Sequence, residues 1–168
     1  FEGYTLFSHG KKTFLIDMLG NVVHTWDMPA PAGNHLELLE NGNLFGAFKV
    51  IPPPKIKNKN LAIGGWGGGL IELDWDSKVV WKWDQNTEKT LQHHDFEVMP
   101  NGNVLTVVWE QYSYEEAIKA GRRADQTTKA GVVADAIYEV NRAGEIVWRL
   151  STWDNRGTNA PDKFDVNF

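Results

Sequence analysis

The chain has no cysteine in its 168 residues, which excludes thiol nucleophiles, disulfide staples and thiolate metal sites. No apolar run reaches the length of a membrane span, and no charged-plus-apolar leader opens the sequence. Phe1 stands where an initiator methionine would, and is read as the interior of a longer polypeptide, downstream of a cleaved leader. Basic residues are in the minority, 17 Lys and Arg against 22 Asp and Glu. With the signs scattered and no basic patch, a nucleic-acid partner is not expected. Histidines at HxH or HxxxH spacing are missing as well, so the five histidines give little support for a metal site, and no metal or cofactor is expected. The glycine cluster at 64–69 lacks the Gly-Lys-Ser/Thr ending of a phosphate loop and precedes a strand instead of a helix, which removes a nucleotide site.

What the chain does have is an internal repeat. An apolar hairpin ending in a large side chain runs Ile16–Trp26, then Leu73–Trp83, then Val140–Leu150. An Asn-Gly-Asn turn follows an apolar run at His35–Leu44 and again at Asp95–Val104. Both patterns return after about sixty residues, the period of a modular array and not of a single sandwich. Period-two alternation through Phe14–Ile16, Ile71–Leu73 and Tyr138–Val140 marks half-buried strands. The Asn-Gly pairs at 41–42 and 101–102 are strong hairpin signals. Most of the eight tryptophans are accounted for by packing between stacked sheets.

Labelling four strands A to D per unit predicts an all-β chain, a β-propeller of four-stranded antiparallel blades with about three blades present. Residues 4–26 form a blade remnant without its A strand, 34–84 and 93–150 form two full blades, and 164–168 begin the next. A partial ring of this kind is completed by further sequence or by other copies, so a homo-oligomer or the remaining blades of the same polypeptide is expected. The strand count puts every tight turn on one face. The long segments 52–69, 85–94, 110–135 and 151–163 fall on the other, where binding and catalysis usually sit. Inside 110–135, Ser113 and Glu116 form a capping-box pattern, and Tyr114–Ala120 reads as a short helix ended by Gly121. Arg122 and Arg123 follow it, either as charges favoured at a helix C-terminus or as a fork suited to oxyanions.

The residues with most chemistry are Gln92-His93-His94-Asp95, at the start of an innermost strand. Adjacent side chains on a strand point to opposite sides, so one of His93 and His94 is expected to face the central channel. Asn34-His35 occupies the equivalent slot of the preceding unit, which makes His35 a second candidate for the same mouth. His24 replaces Trp81 and Trp148 on an outer strand and reads as structural, while Trp153-Asp154 lies on the long-loop face as packing or as a pocket wall.

Taken in order, Leu15-Ile16-Asp17 with Gly20–Trp26, Gly67–Glu72 with Asp74-Trp75-Asp76, Gln92–Phe96 with Pro100–Val104, and Trp109-Glu110 with Glu115-Glu116-Ala117 and Ala120-Gly121-Arg122 resemble the bacterial and archaeal arylsulfotransferase-like propellers, from about residue 3 onward. The resemblance implies a periplasmic or extracellular protein with its site in the central channel. It also implies transfer of a sulfuryl group from an aryl sulfate to a phenol through a sulfated histidine. On that pattern His94 is the first choice of catalytic histidine and His93 the second. Arg122 and Asn34 are oxyanion contacts, Tyr112 or Tyr114 an aromatic wall or proton carrier, and His35, Asp95 and Trp153 further substrate contacts. In characterised relatives the nucleophilic histidine lies in a later blade, and the histidines here then bind sulfuryl oxygens. Two rivals stand beside this reading. One is a non-catalytic binding or assembly propeller. The other is a quinone-dependent dehydrogenase, suggested by Gly144–Trp148 but lacking an adjacent cysteine pair.

Overall fold

The computed structural model describes residues 3–51, 56 and 64–155. Strands β1 (Thr5–His9), β2 (Lys12–Ile16) and β3 (Val22–Asp27) form a three-stranded sheet. Strands β4 (Ala32–Leu38), β5 (Leu44–Lys49), β6 (Gly68–Leu73) and β7 (Val79–Asp84) form a second sheet. Strands β8 (Thr90–Val98), β9 (Val104–Tyr112), β10 (Val132–Val140) and β11 (Ile146–Ser151) form a third. Each is an antiparallel meander in chain order, so the all-β expectation holds, and the strands fall close to their expected positions. The segments 52–55, 57–63 and 156–168, with the strand expected at 164–168, lie outside the described residues.

The tight turns repeat in atomic detail. The side-chain oxygen of Asp17 accepts the N–H groups of Leu19 and Asn21; Asp74 does the same for Asp76 and Lys78, and Asn141 for Ala143 and Glu145. These Asx turns substitute a side chain for a backbone acceptor and pull the chain round. The fourth turn position is left-handed in all three, with φ of 83° at Gly20, 67° at Ser77 and 84° at Gly144. Each is followed by the same one-residue register shift, after Leu15, Glu72 and Glu139.

The core lies between consecutive sheets. Leu15, Trp26, Leu44, Phe48, Ile71 and Leu73 fill the space between the first and second. Phe45, Leu70, Trp83, Val108, Tyr138 and Val140 fill that between the second and third. The middle sheet is therefore covered on both sides. That is why every residue of β6, and all of β5 but Lys49, is buried.

Polar bonds register one sheet on the next. His24 Nε2 lies 2.8 Å from the Trp75 carbonyl oxygen, and Trp81 Nε1 donates to the Arg142 carbonyl at 3.0 Å. The two residues occupy equivalent positions in the repeat, and so do their acceptors. Trp26 adds an indole N–H to Asp74 O at 3.1 Å, and the Asp27 N–H donates to Ser77 Oγ at 3.0 Å. At the second junction Arg142 pairs with the buried carboxylate of Glu72, which Asn43 also contacts, and stacks over the Trp81 ring at 4.8 Å. His24, stacked on Trp75 at 3.8 Å, is structural as expected.

Trp26 is fully buried. Trp26→Phe keeps most of the packing but removes the bond to Asp74, and should lower the unfolding free energy by about 1–2 kcal/mol. Trp26→Ala should cost about 3–5 kcal/mol. Urea denaturation monitored by circular dichroism measures both.

Candidate functional site

The first strand of each four-stranded sheet bulges at one place. In β4 the register with β5 shifts between Ala32 and Leu36, and in β8 the register with β9 shifts between His93 and Phe96. Bulges re-aim side chains. Asn34 and His35 occupy the first bulge, His94 and Asp95 the second, and β4 packs beside β8. His35 Nδ1 pairs with Asp95 Oδ1 across this junction, and the His35 ring stacks on Phe96 with centroids 4.6 Å apart. The Asp95 carboxyl is held below its ordinary value, first by that hydrogen bond, against the raising effect of burial, with help from the Phe96 N–H and the nearby His94.

The bulge does not leave the two histidines apart on opposite sides, as plain alternation would: their rings meet. The doublet does not open its strand either, since β8 begins at Thr90. His94 takes a left-handed conformation with φ of 50°, which rotates its side chain toward its neighbour. His93 Nδ1 and His94 Nδ1 are 2.8 Å apart, with the rings perpendicular. The buried His93 stacks on Trp109 at 4.2 Å, and its Nε2 lies 3.3 Å from Asp135 Oδ1 on β10. His94 is exposed.

The glycine cluster now has a steric explanation. The chain from Gly65 to Gly68 runs along the start of β8, with His94 N–H to Gly65 O and Gly67 N–H to Gln92 O both at 2.9 Å. A Cβ on Gly65 would fall 2.0 Å from His94 Cε1 and 2.2 Å from Nε2, and one on Gly67 would fall 1.9 Å from Gln92 Oε1. Gln92, fully buried, also donates through Nε2 to the His93 carbonyl at 3.1 Å. Gly65 therefore leaves room for the exposed imidazole.

A second polar cluster, absent from the sequence reading, forms on the opposite face of the third sheet. Strand alternation puts Glu110 and Tyr112 on the face of Tyr138 and Ser151, and His93, Trp109 and Asp135 on the other. The buried Glu110 carboxylate accepts two hydrogen bonds from Arg149 and one from Ser151, all at 2.6 Å, and further bonds from Tyr138 at 2.6 Å and Tyr112 at 2.9 Å. Burial alone would raise the Glu110 pKa, but Arg149, Ser151 and the two tyrosines outweigh it and hold the group at about 2. Burial and the same carboxylate push the Tyr112 phenol up to about 12. That state is a poor proton carrier near neutral pH. Trp153 stacks on Tyr112 at 3.9 Å, and Asp154 pairs with Arg149.

Of the residues chosen from sequence, the structure thus pairs His35 with Asp95 and His93 with His94, with Asn34 beside His35 in the first bulge, and sets Tyr112 and Trp153 on the other face of the sheet. The helix α1 (Tyr114–Lys119) carries both bonds of the expected capping box between Ser113 and Glu116. Tyr114 is its first residue, and the half-buried Arg122 follows it with its backbone N–H on Ala117 O. Arg123 is bound through Nε and Nη2 to Asp125. Asp135, Trp109 and Gly65 were missed: their meeting depends on strand register and a loop path that spacing does not reveal. Among the described residues no group of three or more histidine, aspartate or glutamate side chains is arranged to hold a metal ion, and no helix is long and apolar enough to cross a membrane.

Gly65→Ala should displace the His94 ring and cost about 1–3 kcal/mol through left-handed strain and overlap; a shifted His94 imidazole signal by NMR, with a lowered melting temperature, is the readout. Glu110 gives a signed pH effect. Its folded value of about 2 lies below the ordinary 4.5, so its contribution to stability is present above 4.5 and is lost as pH falls through about 2. In Glu110→Gln, urea unfolding measured across that window should depend less steeply on pH than in the native chain.

No protein-family model matches the chain, and no curated protein matches it. The arrangement of its side chains is what a functional reading rests on.

Proposed function

We propose that the three sheets are blades of a β-propeller, with β4 and β8 as inner strands. At their junction the chain transfers a sulfuryl group from an aryl sulfate to a phenol through His94. The propeller reading is supported by the repeated turns and sheet-to-sheet bonds. It is also supported by Trp148 and Glu139, which stand at the repeat positions of Trp81 and Glu72 on the outer side of the third sheet. Trp148 there is 47% exposed, as expected where a further blade would pack. An extracytoplasmic location belongs to the same reading.

One observation carries the chemistry: His35 pairs with Asp95 across the junction of the two bulges, and the exposed His94, next to Asp95 in the chain, meets His93. A neutral imidazole is a competent nucleophile near neutral pH. In the first step a lone pair on His94 attacks sulfur; the N–S bond forms, the S–O(aryl) bond breaks, and its electron pair leaves with the phenolate. In the second an acceptor phenol oxygen attacks sulfur, the N–S bond breaks, and the phenol's proton passes to the released phenolate or to water. Negative charge spread over the sulfuryl oxygens calls for nearby donors. Asn34, beside His35, and Arg122, after α1, fill that role in this reading.

Incubation with p-nitrophenyl sulfate and phenol tests it. The native chain should release p-nitrophenol and form phenyl sulfate, and His94→Ala should lose at least about a thousandfold in rate. An acid-labile sulfated histidine should be trapped on the native chain alone. No release from the native chain, or equal release from His94→Ala, would leave this face as a binding surface.

A further inference from the structure

We infer that Asp135 is a positioning residue that selects the tautomers of both histidines, so that His94 presents Nε2 as its lone-pair nitrogen. The inference deepens the reading of this site given above. It begins from a constraint on protons. Two nitrogens 2.8 Å apart, His93 Nδ1 and His94 Nδ1, share one hydrogen bond, so one must carry a proton and the other a lone pair when both rings are neutral. Geometry between the rings does not choose the direction. The next contact along does. His93 Nε2 is buried and makes no hydrogen bond of good geometry, but Asp135 Oδ1 lies 3.3 Å from it, close enough for charge attraction. A lone pair on Nε2 would oppose the carboxylate, whereas a proton there is attracted to it. His93 with its proton on Nε2 has a bare Nδ1, which accepts the Nδ1 proton of His94. His94 is then left with an unprotonated Nε2.

Three further observations fit this chain of contacts. Asp135 is paired in register with Trp109, on whose face the His93 ring is stacked at 4.2 Å, so the buried histidine cannot swing away from the carboxylate without losing that stack. The Asp135 carboxyl is kept ionised by His93 first, against burial, with smaller help from the charge of His93, from Trp109 and from His94. Finally, His94 Nε2 lies over Gly65, where a Cβ would come within 2.2 Å of it. A side chain at position 65 would collide with the nitrogen left unprotonated, and glycine avoids that. The arrangement parallels the acid–histidine pairing in which a carboxylate fixes an imidazole tautomer without taking its proton, with a second imidazole as the group so prepared.

Long-range 1H–15N correlation spectra of the histidine-labelled chain, recorded where both rings are neutral, read each tautomer directly. The native chain should show His94 protonated at Nδ1 with a lone-pair resonance at Nε2, and His93 protonated at Nε2. In Asp135→Asn the negative charge beside His93 Nε2 is lost and the amide can present a donor there instead. Both tautomers should then reverse, while Asp135→Glu should restore the native pattern. Asp135 is mostly exposed, so neither substitution should threaten the fold, and unchanged circular dichroism checks that. A native His94 protonated at Nε2, or tautomers that ignore Asp135→Asn, would overturn the inference. Sulfuryl transfer should fall about a hundredfold in Asp135→Asn. If the tautomers respond as stated but no transfer occurs in the native chain, the tautomer assignment stands and the sulfotransferase reading fails.

Discussion

Everything in this molecule depends on how one sheet is registered on the next. A ring nitrogen on the last strand of a sheet reaches a backbone carbonyl in the tight turn of its successor, from His24 to Trp75 and from Trp81 to Arg142. Apolar packing supplies most of the attraction between sheets, but packing is indifferent to small slides. A directional bond from a large ring to one carbonyl is not. With the sheets so registered, β4 falls beside β8, and the bulge carrying His35 faces the bulge carrying Asp95. Polar bonds far from His35, His93 and His94 thus help to set where those three rings stand.

The two faces of the third sheet handle charge in different ways. On one, Glu110 is surrounded by donors that hold its pKa at about 2, a brace joining β9, β10 and β11. On the other, His93 and His94 meet through their Nδ1 atoms, with Asp135 beside His93 and Asp95 next to His94 in the chain. The first arrangement suits rigidity, since a carboxylate with every lone pair engaged resists change. The second suits chemistry, since imidazoles can gain or lose a bond near neutral pH.

The fold was readable in the sequence because its signals were local and repeated. Asn41-Gly42, Asn101-Gly102 and the three Asx turns lie in short stretches that dictate their own geometry, and the repeat showed which hairpins were equivalent. The capping box at Ser113 was legible for the same reason. The site was readable only in part. The histidine doublet stood out as a pattern, but strand parity could not show that the two rings meet, since a left-handed residue at His94 breaks the alternation on which parity depends. Asp135 and Gly65 were invisible because each meets His93 or His94 through tertiary placement, one by register across β9 and one by a returning loop. Glu110 and Arg149 were missed for a related cause: residues 39 apart are joined only when three strands are aligned.

Ser77 shows what such registration demands of a turn. Its counterparts Gly20 and Gly144 enter the left-handed region freely, whereas a residue with a Cβ does so at a disadvantage of about 1–2 kcal/mol. Its hydroxyl, however, accepts the Asp27 N–H from the sheet before it, a bond worth about 1 kcal/mol that glycine could not make. The hairpin gives up its own best residue to serve a seam. A substitution that looks like an improvement within residues 73–79 would loosen the join to β3, so the backbone preferences of this chain are set by its neighbours as much as by its turns.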